Sequence, residues 1–296
     1  MKRVLITGAG GQIGRVLRQG LRGKYHLRLL DRTPITGLEA SEEFVKSDLS
    51  DVKVLQEAMA NIDGIVHLAA VSVEDAWEKI LPSNIIGTLN LFEAACRAGA
   101  KRVLFASSNH AVGFYRRDQV IGTDVTVRPD SRYGVSKAFG EALCSLYADK
   151  YGLETYCMRI GNVAERPVDM RRLAIWISPR DLIQLVEIGL EHPDINFEIV
   201  YGMSGNDRAW WDNSHAERLG YRPLDNSETY ADEVIAAEPQ HDPNDLQHIY
   251  QGGTFVNLEY GGGSLKEAMR GWIAHPVRAF AKGKWGTWRP RGSPPR

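Results

Sequence analysis

The chain has 296 residues, 43% hydrophobic and 25% charged, enough to bury one large core, so a single fold with a small substrate-binding lobe is expected rather than two independent domains. With 36 Lys and Arg against 37 Asp and Glu the formal charge is −1, which gives the protein no electrostatic reason to seek nucleic acid or an anionic membrane. Scattered Cys96, Cys144 and Cys157 point to reduced thiols in a cytoplasm, and histidines without tight ligand spacing predict no metal.

A chain that starts inside its first strand is expected to carry no leader, and no run approaches the ~20 apolar residues of a membrane span. That first strand, 3–7, runs directly into Gly8-Ala9-Gly10-Gly11-Gln12-Ile13-Gly14. Ile13, Val16, Leu17 and Leu21 then recur at the spacing of one helical face, so the glycines sit at a helix N-terminus whose amides can hold a pyrophosphate. Gly8 allows the tight turn, Gly11 lets backbone approach the phosphates, and Gly14 lets the helix pack closely. The second strand, 26–30, leads into Asp31, where an acid accepts hydrogen bonds from an adenosine ribose. A carboxylate there repels a 2′-phosphate and favours NAD over NADP, although Arg32 beside it could recruit one.

Further strands are expected at 44–46, 64–70, 102–108 and 154–160, with helices between them. Such alternation forces crossover connections and a parallel sheet covered on both faces, a Rossmann-type doubly wound α/β fold. Ligands then bind beyond the strands' carboxyl ends, where the glycine loop, the Ala69-Ala70 turn and Ser107-Ser108-Asn109-His110 fall.

Tyr133 and Lys137 stand four residues apart at the head of an amphipathic stretch, so one helical face presents a phenol beside an ammonium. A free tyrosine titrates near ~10, and a phenolate usable at neutral pH needs about 4 kcal/mol of stabilisation. One positive charge at ~4 Å supplies about that much at an effective dielectric of ~20. The pair is therefore expected to make a general base, helped by a cationic nicotinamide ring. The spacing alone arises by chance on many solvated helices; the dinucleotide-binding context gives it weight.

Later, 195–201 reads as a strand and 212–219 as a short helix, with Trp210 and Trp211 as packing residues rather than sugar platforms. Residues 240–245 are polar and proline-punctuated, a surface loop. Ser264 with Glu267 makes a capping box, and Leu265, Ala268, Met269, Trp272 and Ile273 share a face, so an extra helix is expected within 261–281, followed by a mobile basic tail at 282–296. Residues 1–160 would then be mainly the NAD-binding core and 161–260 mainly the substrate lobe.

Together TGAGGQIG, SDLSD, HLAA, SSNH and YGVSK resemble the extended short-chain dehydrogenase/reductase superfamily over most of the chain. The resemblance implies that Ser108 is the catalytic serine, Tyr133 the acid/base, Lys137 the lysine that lowers its pKa and holds the nicotinamide ribose, and Asn84 the family's asparagine. It implies NAD contacts at Gly8, Gly11, Gln12, Ile13, Gly14, Asp31, Leu68, Ala69, Ala70 and Asn84, with Asp48 and Leu49 flanking the adenine. SSNHAVGFY, RIGNVAERPVDMRRLAIWIS, AWWDNS and QGGTFV are most similar to the NAD-dependent uronate dehydrogenases, which oxidise C1 of galacturonate or glucuronate to the aldarolactone.

The chemistry suits the residues: a hemiacetal hydroxyl that loses a proton while its carbon delivers hydride needs a base and an oxyanion donor. A planar guanidinium grips a sugar-acid carboxylate, and of the adjacent Arg171 and Arg172 the resemblance selects Arg171. Ser72, Asn109 and Asn162 would meet sugar hydroxyls, Asn162 standing where the resembled enzymes have serine; His110 either does the same or supports its loop. A homo-oligomer is expected. The alternatives are a dehydrogenase of neutral or phosphorylated sugars, a sugar epimerase or dehydratase, and a non-catalytic dinucleotide sensor. The last has no chemical need for the Ser108, Tyr133 and Lys137 set.

Overall fold

The structure is a computed structural model that describes residues 1–238 and 245–258; the extra helix, the basic tail and most of the 240–245 loop lie outside the described residues. The chain divides into two units, Met1–Val256 and Asn257–Arg296, and every element named below belongs to the first. Arg3–Thr7 (β1), Gln12–Leu21 (α1), His26–Asp31 (β2), Glu42–Lys46 (β3), Val52–Ala58 (α2) and Gly64–His67 (β4) alternate as strand and helix. Trp77–Ile80 (α3) then continues through a π-helical turn, Leu81–Ile86, into Gly87–Ala98 (α4). Next come Arg102–Ser108 (β5), a 3₁₀ turn at Asn109–Val112, Arg132–Tyr151 (α5) and Glu154–Ile160 (β6). Asn162–Val163 (β7), Met170–Ile175 (α6), Trp176–Ile177 (β8), Pro179–Glu191 (α7) and Phe197–Gly202 (β9) follow, and then Ser214–Arg218 (α8), Ala231–Ala237 (α9) and Leu246–Ile249 (α10).

Seven parallel strands form one sheet in the order β3-β2-β1-β4-β5-β6-β9, while β7 and β8 pair separately. Alternating side chains explain the layers: Val4 and Ile6 of β1 enter one apolar cluster with Leu17 of α1 and Leu182 of α7. Leu5 between them enters the other, with Leu91 of α4 and Leu143 of α5. A strand buried on both faces can only be covered by helices on both sides. The chain runs outward from β1 to β3 and then crosses to β4, so the order reverses between β1 and β4, where such folds bind ligands.

The strand expected over 64–70 stops pairing at His67, because the Ala69 amide turns toward the Thr7 hydroxyl at 3.4 Å. The late strand forms as β9, so the sheet extends beyond residue 160. Trp211 packs as expected, buried and stacked on Tyr201 at 4.8 Å, with Nε1 donating to Gln251 Oε1 at 2.9 Å. No helix among the described residues is long and apolar enough to cross a membrane.

One buried ion pair fixes α5 on the sheet. Arg159 of β6 donates to both carboxylate oxygens of Glu141 on α5, at 2.9 Å each, and Ser107 of β5 donates to Glu141 Oε1 at 2.5 Å. Arg159→Leu would leave Glu141 charged and unpaired in the core and should cost about 3–5 kcal/mol in denaturant unfolding. Arg159→Leu combined with Glu141→Leu should recover much of that loss, because no lone charge remains.

Candidate active site

The glycine loop fits a dinucleotide by its packing. Gly8 has φ +70°, and a Cβ there would lie 2.7 Å from the Ala69 amide nitrogen; one on Gly14 would lie 2.5 Å from Ala9 O. Gly11 begins α1 without a side-chain cap, so the first-turn amides, those of Gln12 and Ile13 among them, have no intrahelical acceptor and suit a phosphate. Asp31 lies against this loop, accepting from Gly10 N and Thr33 N at 2.9 Å each. Beyond β3, the Asp48 carboxyl is held below the usual range by hydrogen bonds from Ser50, and Asn90 fixes the Leu49 carbonyl at 2.9 Å. Leu68 and Ala69 follow β4 directly against the glycine loop at Gly8. These residues could hold NAD.

The Asn84 side chain is held within the protein: Oδ1 accepts from Val71 N at 2.8 Å and Nδ2 donates to Val71 O at 2.9 Å and Ser136 Oγ at 3.0 Å. Both amide hydrogens are thus committed within the protein, and Asn84 clamps the loop before Ser72 to α5. A buried chain of hydrogen bonds extends from it. Thr88 Oγ1 donates to Asn84 O at 2.7 Å, so it must accept from His67 Nε2 at 3.2 Å, leaving His67 Nδ1 to accept from Thr7 at 2.8 Å. Burial, reinforced by the Lys137 charge, lowers the His67 pKa to about 3, which keeps this tautomer neutral.

Ser108, Tyr133 and Lys137 meet where α5 crosses the end of β5. Burial raises the Tyr133 pKa to about 12 against an opposing hydrogen bond with Ser108, and the Asp130 charge pushes it further upward. The lowering expected from Lys137 is not found in the chain alone. The ammonium donates to Ala106 O at 2.7 Å and lies 5.4 Å from the centre of the Tyr133 ring, over its face. Burial lowers the Lys137 pKa from 10.5 to about 8.

On the far side of the crevice, His110 Nδ1 meets Asp130 Oδ2 at 2.7 Å, and the imidazole stacks on Phe255 at 3.8 Å and meets the edge of Tyr133 at 5.8 Å. Arg171 donates Nε to Gln251 O at 2.9 Å. With the Asn109 amide oriented to satisfy its neighbours, Asn109 Oδ1 accepts from Arg171 Nη2 at 2.7 Å. Burial, with Arg117 and Arg172 nearby, lowers the Arg171 pKa to about 10. Among the described residues no carboxylate pairs with Arg171, whereas Arg172 pairs with Asp169. A cavity of about 90 Å³ beside Arg171 is lined also by Arg117, Arg172, Asp169 and Glu238. The side chains of Ser72 and Asn162 have no hydrogen-bond partner in the protein among the described residues.

Three contributors escaped the sequence reading. Glu74 accepts from Tyr133 N at 2.9 Å and pairs with Arg132 at 3.1 Å, tying the Ser72 loop to α5 from its second side. Asp130 and Phe255 frame His110. Asp130 had a signal, a Pro-Asp-Ser run before a helix; Phe255 had none beyond its place in QGGTFV. No group of three or more His, Cys, Asp or Glu among the described residues is arranged to hold a metal.

Residues 4–174 match the model of the NAD dependent epimerase/dehydratase family. A uronate dehydrogenase of Agrobacterium fabrum is 46% identical over 258 residues, 87% of this chain and 97% of that protein. One from Pseudomonas putida is 45% identical over 256 residues, 86% and 95% of the two chains. The solved structure of a mutant uronate dehydrogenase from Agrobacterium tumefaciens complexed with NAD has a TM-score of 0.84 at 45% identity, covering 87% of this chain and 97% of that one.

Lys137 carries a stability cost that depends on pH. Its folded pKa, about 8, lies below the 10.5 of an exposed lysine, so the native state resists its proton and loses about 3 kcal/mol at neutral pH. The loss disappears as pH rises from 8 to 10.5. Lys137→Met should therefore melt at a higher temperature than the parent at pH 7, with the difference shrinking through that window.

Proposed function

The chain belongs to the NAD dependent epimerase/dehydratase family, and on that premise we propose that it is an NAD-dependent oxidoreductase that oxidises the C1 hydroxyl of a hexuronate, galacturonate or glucuronate, to the aldarolactone. The observation that carries the substrate class is Arg171, an enclosed guanidinium without a carboxylate partner among the described residues. A buried cation calls for an anion, and a uronate brings one.

Tyr133 takes the C1 hydroxyl proton while Ser108 hydrogen-bonds the oxygen as negative charge develops. Bound NAD supplies the hydride acceptor and a cationic ring beside the phenol. That charge matters, because the chain by itself leaves Tyr133 titrating near about 12. Lys137 is held by Ala106 O over the phenol face. The open side chains of Ser72 and Asn162 hydrogen-bond sugar hydroxyls, and Asn109 orients Arg171 toward the carboxylate.

Reduced Cys96, Cys144 and Cys157 support a cytoplasmic setting. The expected homo-oligomer would use α5, whose Val135 and Leu146 are 41% and 47% exposed and stand three turns apart on one face. A second copy would cover them, and Leu146→Glu should then reduce the mass measured by light scattering to that of the single chain.

NADH absorbance formed with NAD and each of galacturonate, glucuronate, glucose and glucose 6-phosphate tests the function, with turnover expected for the uronates. Arg171→Ala should raise KM for uronate about 10-fold or more, for loss of a charged hydrogen bond. Turnover of the neutral sugar alone, or an unchanged KM, would remove the uronate assignment.

A further inference from the structure

The carboxylate of Asp130 occupies a place made for it. A Cβ on Gly113 would lie 1.8 Å from its Oδ2, and one on Gly252 would lie 1.9 Å from the same atom. Only glycine fits at these two points of the chain, and through them Asp130 joins the turn after β5 to the segment that carries Phe255. Each of its oxygens accepts: Oδ1 from Ser131 Oγ at 2.7 Å, Oδ2 from His110 Nδ1 at 2.7 Å. The Ser131 hydroxyl already accepts from Gly134 N at 2.9 Å, so its own hydrogen points to Asp130.

An ionised carboxylate can only accept, so His110 Nδ1 must carry the hydrogen and Nε2 must be bare in the neutral ring. The His110 side chain is 10% exposed, and Nε2 has no partner among the described residues. One ring face is covered by Phe255 and an edge by Tyr133. Nε2 is thus the polar atom this ring retains for a ligand, and in the neutral ring it is an acceptor.

We propose that Asp130 is a positioning residue for substrate: it fixes His110 as a hydrogen-bond acceptor for a sugar hydroxyl and, lodged between Gly113 and Gly252, keeps Phe255 stacked on that ring. The proposal rests on the hexuronate reading for the identity of the sugar, but not for the tautomer. A site of this polarity selects a hydroxyl that can donate, which an ether or fluorine at the same position cannot do. Asp130 also faces Tyr133 and Arg171, with Lys137 behind the phenol, so its charge is felt by the base and by the carboxylate-binding cation as well.

The test has two parts. Nitrogen-15 NMR of the full chain without substrate should show His110 protonated at Nδ1 and bare at Nε2; the opposite tautomer, or a ring protonated at both nitrogens, would overturn the proposal whatever the substrate is. Asp130→Asn keeps the shape of the side chain and removes its charge. It should raise the KM of the turned-over sugar about 10-fold, the scale of one charge-assisted hydrogen bond, while the Kd for NAD stays at the parent value. A sugar KM within about 2-fold of the parent, below what losing such a bond would give, would overturn it. A rise in both constants would mean general disruption of the crevice and would overturn it too. If the parent turns over none of the uronates, the hexuronate reading fails while the tautomer result still stands or falls alone.

Discussion

The position of one helix governs this site, and the buried pair of Glu141 and Arg159 sets it. Glu141 lies one turn beyond Lys137 and two beyond Tyr133, and it is bound from the sheet by Arg159 of β6 and Ser107 of β5. A bidentate pair tolerates little sliding, because shifting α5 would strand two buried charges. With α5 so held, Tyr133 reaches Ser108 and Lys137 reaches Ala106 O. The ends of the same assembly are secured by Glu74 at the Tyr133 amide and by Asn84 at Val71 and Ser136, so the Ser72 loop is attached to α5 on both sides.

The chain alone presents an electrostatically unfinished crevice. Lys137 is a buried cation whose oxygen partner is a neutral carbonyl, Arg171 lacks a carboxylate partner among the described residues, and Tyr133 is a phenol that burial keeps protonated. Each arrangement disfavours the isolated protein and favours a complex. A carboxylate beside Arg171 and a cationic ring beside Tyr133 would supply the missing charges, so part of the binding free energy goes into completing the site. His67 provides contrast: fully hydrogen-bonded and neutral, it links β1, β4 and α4 without entering the chemistry.

Much of this was legible in the sequence. Periodicity located all seven strands of the main sheet, with errors only at their ends, since the strand pattern persists past His67 whereas the strand pairing ends there. The glycine loop and Asp31 come together as spacing implied. Tyr133 and Lys137 also fall on one helix, as four-residue spacing demands, yet the expected effect of one on the other does not appear. Spacing gives the separation of Cβ atoms along a face; it does not say that an ammonium will settle over a ring face instead of beside a hydroxyl. Asn84 is similar, for its motif identity was visible while the internal acceptors that absorb its amide were not.

Local sequence determined what depends on short-range geometry: strand and helix type, the anion-binding helix start, the residues able to act as base, donor and carboxylate clamp, and the bias toward NAD. Tertiary structure decided what depends on distant partners and on burial. The pKa values of Tyr133, Lys137 and His67, the tautomer imposed on His110 by Asp130, and the stacking of Phe255 on that ring all arise from groups tens to more than a hundred residues apart in the chain. Desolvation and hydrogen-bond direction are properties of a filled volume, and no stretch of sequence contains that volume until the chain has folded around it.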